Sequence, residues 1–363
     1  MRVLHTEWSD GWGGQEIRII SEMIAVREKG IEVFLACRDH SIIKQKAQEN
    51  NIEVFILSFK GNIDIKTLFN LRKIIRDNDI NFVNTHSGKD TWVGGLAAKL
   101  AGIKFIRTRH LSNRISSSHA NFINELADYI ITTGESIRSE MIKFNRIKPE
   151  KIESIPTGIN CDIYDPYKYN RKVCRDLFNL NEDQIVIGTV AVLRRFKRYD
   201  RFIKMIRYVI NENPAKKIKI LIAGEGPQRE MISEMITNFG LKGNISMLGH
   251  IDNVPELIKA LDIFILASDS GEGVPQSVMQ ALLMEVAVLS TDAGSIRDLY
   301  SEDNFMLVDK DSQDQLNIAC NQLINNNNLR EKYQKKSREY ILQNFSKEKM
   351  VEKLMKVYFY LNQ

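Results

Sequence analysis

Two kinds of segment alternate along this chain, and that alternation limits what it can fold into. Short runs rich in Ile, Val and Phe punctuate the first half: "RVLHT", "IEVFLAC", "IEVFILSF", "INFVNTH", "IKFIRTRH" and "DYIITTG". Most are apolar on both faces, as buried parallel strands are. Between them lie segments with helical spacing. In "QEIRIISEMIAVREKG" the apolar Ile17, Ile20, Met23 and Ile24 recur on one face, and Gly30 supplies a stop. The second half repeats the plan with "IVIGTVAVL", "KIKILIAG", "NISMLGH", "DIFILAS" and "VAVLST". Strand and helix in regular alternation predict βαβ units and a doubly wound α/β sheet in each half.

At about 150 residues per domain, 363 residues suggest two domains. The aperiodic stretch "IESIPTGINCDIYDPYKYN", with Pro156, Gly158 and Pro166, reads as the connection between them. The last fifty residues are helical and charged, ending in "KEKMVEKLMKVYFYLNQ". Two such sheets imply a cleft between the halves, with functional residues in the loops that follow strands.

Composition removes several classes. Cys37, Cys161, Cys174 and Cys320 are scattered, which argues against a zinc site or a disulfide framework. A net charge of +5 is too mild for a nucleic-acid binder. The start "MRVLHTEWSD" is polar, so no secretory signal is expected. No apolar run approaches the ~18 to 20 residues that span a membrane. The expected location is therefore cytoplasmic. One stretch, "KLAGIKFIRTRHLSNR", carries Lys99, Lys104, Arg107, Arg109 and Arg114 without an acid. It reads either as a solvated connection or as a surface for anionic lipid or a phosphate-bearing acceptor.

Candidate loops follow the strands. In "EWSDGWGGQE", Gly11, Gly13 and Gly14 precede a helix starting near Gln15. Such a loop lets backbone approach an anion, or is merely a turn; it is not G-x-G-x-x-G. Trp8 and Trp12 flank it, suited to stacking on a sugar or to packing. His86 and His110 close the fourth and fifth runs, and His250 closes "ISMLGH". In "LRRFKRYD", Arg194, Arg195, Lys197 and Arg198 crowd a strand-to-helix junction. Helix N-termini favour acids, so cations there suggest a bound polyanion such as diphosphate, the alternative being a solvated basic cap.

In "ASDSGEGVPQSVMQALL", Pro275 fits a first helical turn, and the amides of Gln276, Ser277 and Val278 would face outward for a phosphate. Glu272 in the same loop can accept hydrogen bonds from a polyol or stabilise positive charge on a sugar ring. Two D-x-D triplets, Asp77 to Asp79 and Asp309 to Asp311, read as turn chemistry and not as metal sites.

Together "SDSGEGVPQSVMQALLMEVAVLSTDAGSIRDL", "KILIAGEGPQREMI", "ISMLGHIDNVPELIKALDIFILAS", "IPTGINCDIYDP" and the N-terminal glycine pair resemble the retaining glycosyltransferases of family 4 over nearly the whole chain. The resemblance implies a GT-B fold: two doubly wound Rossmann-like domains facing each other across a cleft, with a final helix crossing back. It gives an acceptor domain at 1–163, a nucleotide-sugar donor domain at 164–345 and a returning helix at 346–363. The implied reaction moves a sugar, with retention, from a nucleotide-diphosphate-sugar, UDP-linked by expectation, to a saccharide or lipid-linked saccharide. The setting would be assembly of bacterial surface polysaccharide, lipopolysaccharide or glycolipid, with peripheral contact at the cytoplasmic face of the inner membrane. No cofactor, metal or nucleic acid is implied.

Carried onto this sequence, Glu272, Gly273, Val274 and Pro275 would meet the donor sugar. Lys197, an arginine, the amides of Gln276 to Val278 and, from the other domain, Gly13 and Gly14 would hold the diphosphate. Gly249, His250 and Ile251 would lie against the base, and His110 near the donor sugar and acceptor. Catalysis would rest on Glu272, His110 and Lys197.

Three positions depart from the family. Val192 replaces the arginine five residues before Lys197, leaving that work to Arg194, the preferred candidate, or Arg195. Arg198 replaces a glycine. Gln280 replaces the second Glu, which holds ribose in the family. Gln keeps one acceptor oxygen and adds a donor, at ~1 kcal/mol of donor binding. Two further readings stay open: a nucleotide-sugar epimerase of the same fold, and a degenerate, non-catalytic partner subunit. A phosphorylase would need a longer chain and a lysine bearing pyridoxal phosphate.

Overall fold

The structure is a computed structural model that describes residues 1–110, 115, 119–301 and 304–363. Its contacts divide it into two compact units, Met1–Gly158 with Lys347–Gln363, and Ile159–Ser346. The sequence reading set the divisions after 163 and 345. The first structural division falls earlier, after Gly158, and the second one residue later, after Ser346; Ile159 is already tied to the second unit, its amide donating to Phe345 O at 2.9 Å and its side chain buried in that core.

The first unit holds a seven-stranded parallel sheet: β1 (Arg2–Glu7), β2 (Glu32–Cys37), β3 (Glu53–Ile56), β4 (Phe82–Thr85), β5 (Lys104–Arg109), β6 (Tyr129–Thr132) and β7 (Ile152–Ser154). Their order is β3-β2-β1-β4-β5-β6-β7. The second holds six: β8 (Ile185–Val190), β9 (Ile218–Ala223), β10 (Ile245–Gly249), β11 (Ile263–Leu266), β12 (Ala287–Thr291) and β13 (Met306–Val308), ordered β10-β9-β8-β11-β12-β13. Every strand expected from the sequence is present. The three-residue β7 and β13 were not foreseen, being too short to show a period. β7 lies in the stretch read as a connection, which is corrected accordingly.

Both sheets are doubly wound, so both have a point where the direction of winding reverses. In the first it lies between β1 and β4, in the second between β8 and β11. Loops leaving neighbouring strands at that point diverge, and the carboxyl ends open a crevice.

The last helix, Lys347–Leu361, belongs to the first unit. Met350, Leu354, Val357, Tyr358 and Leu361 line one face at helical spacing and share a core with Ile19, Met23 and Val26 of helix Gly14–Arg27. Beneath that contact lies a fully buried pair, Arg18 Nε to Glu22 Oε2 at 3.5 Å. The hydroxyl of Tyr358 meets Glu22 Oε1 at 3.5 Å. Among the described residues no helix is long and apolar enough to cross a membrane.

Candidate active site

In the second unit the loops leaving β8 and β11 meet at the reversal point. Lys197 ends a short 3-10 turn, Arg195–Lys197, and its Nζ donates to Glu272 Oε1 at 2.6 Å. Ser268 Oγ donates to the same oxygen at 2.5 Å, and Thr291 Oγ1 donates to the carbonyl of Ser268. Both charged side chains are nearly buried, at 13% and 9% exposure, so the pair is weakly screened by solvent.

The next residue holds the junction. Arg198 has φ +50° and ψ +49°, in the left-handed region that disfavours most side chains. The position explains a glycine in the family this loop resembles, and here the arginine replaces that freedom with ion pairs. Its guanidinium donates to both carboxylate oxygens of Asp200 and to Asp269 Oδ2, each at 2.9 Å. Arg198 thus ties the start of helix Tyr199–Glu212 to the loop after β11 and is not left for a diphosphate.

Backbone contacts lock the remaining loops to this pair. Asp269 N donates to Phe196 O at 3.0 Å, and Leu193 N to Glu225 O at 2.9 Å. A Cβ on Gly224 would stand 1.9 Å from Ala191 O, so only glycine lets the loop after β9 lie this close. The same holds at Gly294, φ +62°, where a Cβ would stand 2.0 Å from Glu272 O.

Gly273 follows Glu272, while Val274 and Pro275 are buried under the loop. Pro275 caps helix Gln276–Leu283 from the position just before its first residue. The Val278 amide, expected to face a phosphate, already donates to Pro275 O at 3.2 Å, as does that of Met279. Gln276 and Ser277 open the helix and are half-buried. One turn on, the side-chain amide of Gln280 is half-buried and bonds to none of the described residues.

Arg194 and Arg195 are both exposed and form no ion pair with described residues, so the geometry favours neither. Gly249 (φ +71°) ends β10, two strands from β8; its carbonyl accepts from Gly224 N at 2.7 Å. His250 is exposed, 3.5 Å from Asp252, and Ile251 packs on the core. Ser268, Asp269, Asp200 and Gly294 were not singled out in the sequence. Their weight comes only from contacts across loops.

The crevice of the first unit has different chemistry. Gly13 caps helix Gly14–Arg27, and its N–H donates to Glu16 Oε2 at 2.9 Å. Buried Glu7 accepts from the amides of Trp8 and Ser9 and from Ser87 Oγ. Asp90 accepts from Thr6 Oγ1 and from the amides of His86 and Ser87. Burial, reinforced by the charge of Glu7, pushes the Asp90 carboxyl up to about 8. The glycine loop expected to face phosphate therefore has carboxylates in its hydrogen-bond network, and Arg38 beside it is paired with the loop's Asp10 at 2.9 Å. Trp8 is half-buried under Lys89 Nζ, 4.1 Å from the ring centre.

His86 and His110 are bonded, Nδ1 to Nε2 at 3.0 Å. Sequence reasoning missed that His5 of β1 extends the row, its Nδ1 2.9 Å from His86 Nε2. Desolvation lowers all three imidazoles, His5 to about 3 and the others well below the ordinary histidine range.

The basic stretch is not one surface. Lys99 pairs with Asp128 at 2.7 Å, and Arg107 is buried, donating to the carbonyls of Thr85 and Thr108. Arg114 lies outside the described residues. In the second D-x-D triplet Asp311 N donates to Asp309 Oδ1 at 2.8 Å, a local turn. Among the described residues no group of three or more His, Cys, Asp or Glu is placed to hold a metal ion.

Comparison with known proteins follows the same division. Residues 12–163 match the family model described as Glycosyltransferase Family 4, and residues 171–340 that described as Glycosyl transferases group 1. The chain is 22% identical over 300 residues to the UDP-Gal:alpha-D-GlcNAc-diphosphoundecaprenol alpha-1,3-galactosyltransferase of Escherichia coli, covering 77% of this chain and 76% of the relative. A solved glycosyltransferase from Rickettsia africae ESF-5 superposes with TM-score 0.90 at 18% identity, covering 100% of this chain and 98% of its own. Anabaena HepE in complex with UDP and glucose superposes with TM-score 0.84 at 16% identity, covering 99% of each chain.

Proposed function

Since this chain belongs to glycosyltransferase family 4 and has the GT-B fold, we propose that it moves a sugar from a UDP-linked donor to a hydroxyl of a saccharide or lipid-linked saccharide, with retention at the anomeric carbon. The observation that carries this reading is the Lys197–Glu272 pair at the reversal point of the second sheet.

As the bond between sugar and diphosphate breaks, negative charge grows on the departing phosphate. Lys197 Nζ, fixed by Glu272, is a preorganised cation for that charge. The N-terminus of helix Gln276–Leu283 adds its dipole, with Gln276 and Ser277 at its opening. Arg194 or Arg195, in the same loop and without an ion pair among the described residues, supplies a second cation. Glu272 is left to bond the sugar hydroxyls once the diphosphate draws Lys197 away. Gln280 holds the ribose, and the loop Gly249 to Ile251 meets the base. The first unit takes the acceptor: its buried carboxylates suit hydroxyl donors better than phosphate. In this reading cations of the chain neutralise the leaving group, and no metal or cofactor is called for.

The setting we propose is assembly of surface polysaccharide or glycolipid at the cytoplasmic face of a membrane. Ile63, Ile65 and Phe69 are exposed beside Lys60, Lys66, Arg72 and Lys73. Apolar side chains within a basic patch match an anionic lipid surface better than the 99–114 stretch does.

The test is release of UDP when purified protein meets UDP-sugars and lipid-linked acceptors, with the anomeric configuration read from the product's proton coupling. An epimerase or a non-catalytic subunit would release no nucleotide diphosphate, and an inverted product would remove retention. UDP at 100 times its dissociation constant should stabilise the fold by ~2.7 kcal/mol.

A further inference from the structure

The sheet order sets β1, β4 and β5 side by side, and each contributes one histidine near its carboxyl end. The result is a row: His5 Nδ1 to His86 Nε2 at 2.9 Å, then His86 Nδ1 to His110 Nε2 at 3.0 Å. The rings of His5 and His86 are nearly coplanar, 8° apart, with centres 5.2 Å apart. That separation is the bond length plus two ring radii, so N–H and lone pair lie along one line.

A neutral imidazole has one donor nitrogen and one acceptor nitrogen. In a head-to-tail row the choice at one ring therefore fixes the choice at all. Two arrangements exist. Protons on every Nδ1 make His5 donate to His86 and His86 donate to His110, leaving His110 with a free Nδ1–H. Protons on every Nε2 reverse both bonds and leave His5 with a free Nε2–H.

The interior end decides between them. His5 is wholly buried, and its Nε2 has no hydrogen-bond partner among the described residues. An orphaned buried N–H is among the rarest features of folded proteins, and a bare lone pair is better tolerated. The first arrangement buries the lone pair, the second the orphaned donor. At the other end His110 is half-buried, and none of the described residues bonds its Nδ1. Thr133 Oγ1 donates to the His110 carbonyl, which holds the backbone there.

We infer that His5 and His86 are positioning residues that lock His110 as its Nδ1–H tautomer, so that His110 meets the bound sugar as a hydrogen-bond donor and not as a base. The charged groups around the row favour a neutral chain. Arg18 and Arg107 press on His86 and His110, and Arg109 on His110, while Asp90 holds the His86 amide. Burial together with these cations keeps the rings uncharged at neutral pH. A sugar oxygen facing His110 then finds a fixed N–H, and the direction of that bond is set two strands away at His5. The role of the bond in transfer rests on the proposed function, but the tautomer does not.

The test uses protein carrying isotope-labelled histidine and long-range proton–nitrogen correlation spectra, which identify the protonated nitrogen of each of the six imidazoles. His110 should show a protonated Nδ1 in the unmodified protein. A protonated Nε2, or an imidazolium, at neutral pH overturns the inference, and this needs no variant. His5→Asp places an acceptor opposite His86 Nε2 and should turn the row round, so that His110 shifts to Nε2–H. His5→Asn, of the same shape but with an amide that can donate from that place, should keep Nδ1–H. An unchanged His110 in a folded His5→Asp protein removes His5 from the positioning role. In a transfer assay His5→Asp should lower kcat about tenfold with the donor KM unchanged, and His5→Asn should restore it. Absence of any transfer in the unmodified protein would count against the function and leave the spectra to decide the tautomer.

Discussion

Lys197 Nζ stands 2.6 Å from Glu272 Oε1, although the two residues are 75 apart in the chain. Each carries a charge that the other needs, because both are nearly buried. Removing one partner leaves the other as an uncompensated charge, at about 3 kcal/mol. Lys197→Met should therefore lower stability by about that amount in urea titration. It should also reduce kcat about 10² to 10³-fold, the usual loss when one preorganised charge is removed. Glu272→Gln should be milder in stability, since the amide oxygen still accepts from Lys197 and Ser268. Full-rate transfer in Lys197→Met would end the diphosphate assignment.

Gly294 holds the Glu272 loop from behind. Its φ is +62°, and an added Cβ would stand 2.0 Å from Glu272 O. Gly294→Ala combines backbone strain of about 1 kcal/mol or more with a contact that must move the loop. The expected result is a Tm lowered by several degrees and a kcat lowered at least tenfold, as Glu272 is displaced. Gly243 provides the control: nothing lies within 4 Å of a Cβ there, so Gly243→Ala should leave activity unchanged. Equal behaviour of the two variants would show that the loop tolerates the shift.

The fold was legible because buried parallel strands leave a strong apolar signature, and only the three-residue β7 and β13 lacked one. Lys197 and Glu272 were legible because both stand in strand-following loops among glycines and cations. What stayed hidden depends on contacts between distant segments. Nothing local marks Ser268 as a donor to Glu272, or His5 as the end of a histidine row. Charge counting misled at Arg198 and Arg107. Each looks available in the sequence, yet one is spent on Asp200 and Asp269 and the other on buried carbonyls. The Val278 amide failed for a related reason: the first turn of its helix tightens onto Pro275.

The side-chain amide of Gln280 bonds to none of the described residues, so it is open to a ligand. If it holds ribose, Gln280→Glu restores a charged acceptor for two hydroxyls. Hydrogen bonds to charged groups exceed neutral ones by about 1 kcal/mol. UDP binding measured by calorimetry should tighten up to about fivefold, with kcat nearly unchanged. Weaker binding in Gln280→Glu would show that the site prefers an uncharged residue there, and the ribose role would fall.

Asp64 caps helix Ile65–Asp77 through Thr67 N at 3.1 Å, and also accepts from Lys60 N and from the hydroxyls of Ser58 and Thr67. Desolvation pushes its carboxyl up, but these hydrogen bonds outweigh it and hold the group down to about 2. A carboxyl depressed in the folded state adds stability above its unfolded pKa, and that stability disappears as pH falls through the folded value. Asp64→Ala should thus lower stability by about 1 kcal/mol at pH 7. The difference between the two proteins should shrink below about pH 4 and be gone near about pH 2. A difference that persists in acid would mean the cap works through packing.

That capped helix presents the surface proposed to meet lipid. Ile63, Ile65 and Phe69 are exposed by 88%, 65% and 59%, a large apolar area to leave in water. Lys60, Lys66, Arg72 and Lys73 stand beside them. Apolar insertion and charge attraction make separable predictions. Phe69→Ser should lower partitioning onto vesicles containing phosphatidylglycerol about tenfold, and should do so at any salt concentration. Lys66→Gln with Lys73→Gln should lower it at low salt, with the effect fading toward 0.5 M as about 4 Å of screening length replaces the roughly 10 Å at 0.1 M. Sedimentation of vesicles with each protein reads both. Partitioning that ignores Phe69 but follows the lysines would reduce the contact to electrostatics alone. Partitioning that ignores both would place the lipid contact elsewhere on the chain.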